Sequence, residues 1–180
     1  PVEIPPYQER PAEDFYLAGG RLIPYKRIGL AVEAFSKLGL PLKVFGDGRD
    51  RPLLQAQATP NIEFLGWVDE QQRLDLFARC RAFLFPGEED FGITPLEAMA
   101  MGRPVIAYGA GGALETVIEG VTGRFFAEQS AAALVAAVAA SRTDSYDAAR
   151  IRVHAERFGK PRFLERMRAF IAEQVEKNHE

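Results

Sequence analysis

Ala82-Phe-Leu-Phe-Pro-Gly-Glu-Glu-Asp-Phe-Gly-Ile-Thr-Pro-Leu-Glu-Ala-Met-Ala-Met-Gly-Arg-Pro-Val-Ile-Ala-Tyr-Gly109 carries the alternation from which the fold follows. It opens on an uninterrupted apolar run closed by Pro86 and Gly87, which reads as a buried strand running into a loop. Pro104 to Gly109 has the same form. Between the two runs, Thr94 suits a helix N-cap and Pro95 the first helical position. Glu97 falls three residues after Thr94, so the pair predicts a capping box. Strand, loop, helix and strand in one stretch make a βαβ unit.

The same alternation extends outward. Phe15-Tyr-Leu-Ala-Gly, Leu42-Lys-Val-Phe-Gly and Ile62-Glu-Phe-Leu-Gly are further short apolar runs ending in glycine. Ile28, Ala31, Val32, Phe35 and Leu38 lie on one face of a helix, and Leu74, Phe77 and Ala78 repeat the pattern. After Gly123-Arg-Phe-Phe the strand pattern stops. Ser130 then opens an Ala-rich helix, followed by helical stretches near 144–158 and 160–178; the last aligns Phe163, Leu164, Met167, Phe170, Ile171 and Val175. The expected fold is α/β: a Rossmann-like open parallel sheet with helices on both faces and a helical C-terminal tail. Such sheets bind ligands outside the carboxyl ends of their strands.

Composition narrows the function classes. The chain has 180 residues, 22 basic and 25 acidic, with 47% hydrophobic residues. That length favours one domain, and the balance is globular rather than disordered. A net charge of −3 gives no support for a nucleic-acid partner held by bulk charge. Cys80 is the one cysteine, so an intrachain disulfide or cysteine zinc cage is excluded and a reducing, cytoplasmic setting is expected. No apolar run approaches the length of a membrane-spanning helix. Pro1-Val-Glu-Ile-Pro-Pro-Tyr reads as extended linker, so residues 1–14 are expected to connect residues 15–180 to a further domain.

Four loops following strands carry candidate chemistry. Gly19-Gly-Arg-Leu-Ile-Pro-Tyr-Lys-Arg places Gly20, Arg21 and Lys26 beside a helix start, a combination suited to a phosphate or diphosphate. Gly46-Asp-Gly lacks the third glycine of a dinucleotide fingerprint and reads as a turn; Gly109-Ala-Gly-Gly fails the same test at Leu114. In the block from Glu88 to Met99, Glu89 and Glu97 offer carboxylates to sugar or ribose hydroxyls, while amides from Gly92 to Thr94 can face an anion. There is no Asp-x-Asp pair, no phosphate-binding Gly-Lys-Ser/Thr loop and no Gly-x-Ser-x-Gly elbow. His154 and His179 lack metal-ligand spacing and read as packing or surface residues.

Taken together, Gly20-Arg-Leu-x3-Lys, Gly46-Asp-Gly, Asn61-Ile-x-Phe-Leu-Gly, Phe85-Pro-Gly-Glu-Glu-Asp-Phe-Gly-x3-Leu-Glu-Ala-Met-Ala-x-Gly-x-Pro-Val-Ile-Ala and Gly111-Gly-x2-Glu-x3-Glu-Gly-x-Thr-Gly resemble one family. It is the C-terminal, donor-binding half of the GT-B retaining glycosyltransferases of family 4. The resemblance covers about Phe15 to Phe170. It implies transfer of a hexose from a nucleotide diphosphate sugar, GDP-mannose being the first choice with UDP-linked sugars open. The acceptor would be a glycan or lipid-linked. Arg21 and Lys26 would neutralise the diphosphate with no metal or other cofactor, Glu89 would bond the sugar, and Glu97 the ribose. Amides at Phe91 and Gly92, with Ile93 and Thr94, would meet the phosphates; Phe64, Leu65 and Gly66 would border the base, with Gly20 and Gly46 in the donor site. The partners implied are the sugar nucleotide and an N-terminal acceptor domain that these residues do not include, so this stretch alone should bind donor and turn over little.

One departure is Arg27, where many relatives have glycine. A sugar-nucleotide 2-epimerase and a non-catalytic nucleotide-sugar-binding module share the same motifs. Residues 150–168, with seven basic side chains against two acidic, allow peripheral contact with a membrane, although solvated helix faces account for them better.

Overall fold

The five apolar runs and Gly123-Arg-Phe-Phe all become strands. In the computed structural model, which describes residues 2–7 and 10–177 with Glu176 as backbone only, they are β1 (Tyr16–Gly19), β2 (Leu42–Phe45), β3 (Ile62–Gly66), β4 (Phe83–Phe85), β5 (Val105–Tyr108) and β6 (Gly123–Phe126). They form one parallel sheet in the order β3-β2-β1-β4-β5-β6. The helices between and after them are α1 (Ile28–Leu38), α2 (Arg51–Gln57), α3 (Glu70–Arg79), α4 (Ile93–Ala100), α5 (Ala113–Thr116), α6 (Ala131–Ser141), α7 (Ala148–Glu156) and α8 (Lys160–Lys177).

Both faces of the sheet are covered, which is why β1, β4 and β5 at its centre are apolar throughout, whereas β2, β3 and β6 carry Lys43, Glu63 and Arg124. Successive residues serve opposite cores. Leu17, Phe83, Phe85 and Val105 face one core with α3 and α4, whereas Tyr16, Ala18, Leu84 and Ile106 face the other with α1 and α6. Phe77 stands edge-on to Phe45 and Phe83, with ring centroids 5.9 and 5.3 Å away. Burying rings of this size stabilises by roughly 1.5–3 kcal/mol each, so this trio fixes α3 against the sheet. Buried among these residues, the Cys80 thiol is pushed up to about 12 and is inert as a nucleophile.

The tail follows the helical pattern. Ser130 caps α6 by accepting from the Ala133 amide, and Asp147 caps α7 by accepting from Ala149 and Arg150. His154 is a packing residue: its Nε2 lies 2.8 Å from the Thr116 carbonyl and its ring 5.4 Å from Phe158. His179 lies outside the described residues. The first residues run back across the domain, with Val2 buried and bonded to Phe158 and Lys160, and the Glu13 amide donating to Arg79. The apolar residues of α8, Phe163 to Val175, are 38–58% exposed. Among the described residues no helix is long and apolar enough to cross a membrane.

This topology fixes where a ligand should sit. β1 and β4 are neighbours, and the chain leaves them toward opposite edges of the sheet. The crevice at their carboxyl ends is the switch point at which open α/β sheets bind ligands. Gly20 follows β1 and Pro86 follows β4, so the two loops of greatest chemical interest meet there.

Candidate functional site

Glycines bring the loops together. Gly20 donates its amide to the Phe45 carbonyl and Gly46 donates to Gly66, which joins the ends of β1, β2 and β3. A side chain at Gly46 would stand 1.8 Å from the Gly20 carbonyl oxygen. Gly87, just after β4, packs on the backbone of Tyr25 and Lys26, where a Cβ would meet the Tyr25 oxygen at 2.8 Å. Behind them, the Gly112 amide donates to the Glu89 carbonyl at 2.7 Å, and a Cβ on Gly111 would clash with that same oxygen. The Gly109-Ala-Gly-Gly turn therefore holds the Glu89–Phe91 backbone from behind.

The result is an open cleft of ≈ 620 Å³ lined by Tyr25, Lys26, the loop from Glu88 to Phe91, and Gly92, Ile93 and Thr94. Lys26 sits at the end of a 3-10 turn (Pro24–Lys26), and its Nζ meets Glu89 Oε1 at 2.5 Å. Their side chains are 19% and 20% exposed, so the two expected sugar and phosphate contacts are engaged with each other. Arg21 is exposed, and its side chain bonds no described group. The amides of Phe91 and Gly92 likewise donate to no described group, and they stand at the positive end of α4. Arg21 is not among the residues that line the cleft; Lys26, the free amides and the helix dipole are the groups there that favour a bound anion.

The expected capping box does not form. α4 begins at Ile93 with Gly92 as its N-cap, in the left-handed region at φ 81°, and no side chain caps it. Thr94 and Pro95 are thus the second and third helical residues. Proline is tolerated there because first-turn amides have no partner within the helix. Glu97 is freed from capping and instead accepts from Arg73 Nη2 at 2.9 Å. Burial raises the pKa of its carboxyl, against which Arg73 lowers it. Arg73, on α3, is a residue that sequence reasoning missed.

Other expected site residues stand apart from the cleft. Phe64 and Leu65 are half-buried on β3, each packed against a different core. Arg27 is the one non-glycine among the described residues at positive φ, 53°, between the 3-10 turn and α1. Glycine takes that conformation without strain. Arg27→Gly is expected to shift unfolding stability by no more than about +1 kcal/mol, strain relief being offset by a looser unfolded chain, while Arg27→Val costs about 1–2 kcal/mol. Urea denaturation of the two variants checks both signs.

Comparison with known proteins gives the family. Residues 14–144 match the family of glycosyl transferases group 1. The chain belongs to that family. A glycogen synthase of Mycobacterium tuberculosis (strain ATCC 25618 / H37Rv) is 35% identical over 139 residues, 71% of this chain and 33% of its own length. The alpha-1,3/1,6-mannosyltransferase ALG2 of Dictyostelium discoideum is 49% identical over 61 residues, 33% of this chain and 14% of that protein. This chain therefore spans a third or less of the length of these relatives. Among solved structures, the apo form of the lipopolysaccharide outer core galactosyltransferase WaaB superposes with a TM-score of 0.80 at 22% identity, covering 96% of this chain and 52% of WaaB. Anabaena HepE in complex with UDP and glucose gives 0.73 at 22% identity over 91% of this chain and 48% of HepE. These likenesses place the group 1 domain in the Rossmann-like fold of GT-B glycosyltransferases.

Proposed function

We propose that this group 1 glycosyltransferase domain binds the nucleotide diphosphate sugar from which a hexose is transferred. The observation that carries this reading is the meeting, in one cleft at the carboxyl ends of β1 and β4, of Lys26, Glu89 and two amides that donate to no described group, with the exposed Arg21 in the loop after β1. Arg21 and Lys26 would hold the diphosphate and stabilise the charge that grows on it as the glycosidic bond breaks, with no metal required. Phe91 and Gly92 amides, with Ile93 and Thr94 in the first turn of α4, would add contacts to phosphate. Glu89 would accept from sugar hydroxyls, Glu97 from the ribose, and the β3 end at Phe64 and Leu65 would border the base, with Gly20 and Gly46 letting the backbone approach closely.

The Lys26–Glu89 pair gives this reading a specific consequence. Donor binding must draw Lys26 toward phosphate and release Glu89 for the sugar. Both UDP in the HepE structure and the mannosyltransferase names among the relatives fit a hexose donor. Mannose from GDP-mannose is the donor we favour. Residues 1–14 would connect to an acceptor-binding half, without which turnover is expected to be slight.

Calorimetric titration of Glu89→Ala tests the sugar contact. Loss of charge-assisted hydrogen bonds should remove about 10- to 100-fold of the extra affinity for a nucleotide sugar over the bare diphosphate. The bare diphosphate itself should bind no more weakly, because Lys26 is released from its carboxylate. An equal loss for both ligands would refute the assignment of Glu89 to the sugar.

A further inference from the structure

We propose that Arg73 is a positioning residue for the ribose-binding carboxylate, orienting Glu97 through one oxygen while leaving its second for the ligand. The inference rests on the donor-site reading given above. It starts from an arginine whose placement solvation does not explain. Arg73 lies on α3, a largely polar helix anchored by a capping box at Asp69 and Gln72. A surface arginine normally extends its guanidinium into water. Arg73 instead reaches α4, and in doing so buries its Nε with no hydrogen-bond partner. An orphaned donor is destabilising, so the compensating interaction must be the charge-assisted bond to Glu97, Nη2 to Oε1 at 2.9 Å.

The geometry leaves Glu97 able to act. A carboxylate offers about four acceptor positions over two oxygens, and Arg73 occupies one of them. Glu97 Oε2 bonds no described group and is not sealed from solvent. The carboxylate thus keeps capacity for the two adjacent hydroxyls of a ribose. It also keeps a counter-charge. A half-buried Glu97 without Arg73 would tend to protonate, losing the stronger charge-assisted bonds to hydroxyls. The ionisable groups acting on Glu97 are Arg73, which favours its charge, and Glu70, also on α3, which opposes it. Removing Arg73 leaves desolvation and Glu70, both acting in the same direction.

Two readouts on this chain test the role. The carbon-13 titration of the Glu97 carboxyl is compared between the wild type and Arg73→Leu. Binding of GDP and UDP and of their 2′,3′-dideoxy counterparts is then measured from pH 5 to pH 8 in both, with Arg73→Lys and Glu97→Gln alongside. In the wild type the ribonucleotide of the preferred base should bind about tenfold tighter than its dideoxy counterpart, the increment of one charge-assisted hydroxyl contact. In Arg73→Leu the Glu97 midpoint should move to higher pH. The hydroxyl preference should shrink to about twofold near pH 5 and grow again toward pH 8, with affinity for the dideoxy ligand little changed. Arg73→Lys should restore part of the preference, and Glu97→Gln should lack both the preference and its pH dependence. An unshifted carboxyl titration, or a hydroxyl preference that Arg73→Leu leaves intact, overturns the role of Arg73 while the donor site stands. Absence of binding by either nucleotide in the wild type overturns the donor site and this inference with it.

Discussion

Replacing Arg21 by Ala is expected to weaken GDP or UDP binding by about a hundredfold while the thermal midpoint stays within about 2 °C of the wild type. The separation of the two effects comes from its surroundings. Arg21 is exposed and its side chain bonds no described group, so its removal deletes no native interaction. A bidentate guanidinium on a diphosphate is by contrast a strong contact. Lys26→Ala should cost less affinity, because Lys26 already has Glu89 as a counter-ion and must be drawn from it. Titration and thermal unfolding on the same preparations read both quantities. A loss of less than about threefold at Arg21 would remove it from the phosphate site.

The second large effect concerns the fold. Gly46→Ala is expected to cost about 4 kcal/mol or more, enough to unfold much of the chain or prevent its soluble recovery. The residue lies at φ 100°, and its added methyl would fall 1.8 Å from the carbonyl oxygen of Gly20. Neither group can yield, since both belong to backbone that joins β1, β2 and β3 at their carboxyl ends. Gly20→Ala is the control. At φ 121° it carries the backbone strain, but nothing lies within 4 Å of the added atom, so it should cost only about 1–3 kcal/mol. Urea unfolding of the two variants separates overlap from strain; equal losses would show that strain alone matters.

Much of this architecture is legible in the sequence because a parallel sheet covered on both faces needs continuous apolar runs. Each of the runs at Phe15, Leu42, Ile62, Ala82 and Val105 supplied a strand. The helix α2 went unread because Arg51-Pro-Leu-Leu-Gln-Ala-Gln is short and buries one residue, Leu54. At α4, local chemistry misled. Thr94 and Glu97 have the spacing of a capping box, yet the loop before them is pinned by the Gly112 amide to Glu89. Tertiary support there lets Gly92 start the helix without a side-chain cap. The pairing of Arg73 with Glu97 has no local signature, since it joins two helices across the crossover through β4. Arg27 shows the converse: the sequence marked it as a departure, and the left-handed backbone supplies the physical reason.

The most direct test is a calorimetric titration of this chain with GDP, UDP and their hexose conjugates in metal-free buffer. The expected result is saturable binding of one nucleotide, tightened by the attached sugar in the wild type but not in Glu89→Ala, and reduced about a hundredfold by Arg21→Ala. No binding by any of these ligands at millimolar concentration, or binding that Arg21→Ala leaves unchanged, would contradict a donor site at the carboxyl ends of β1 and β4.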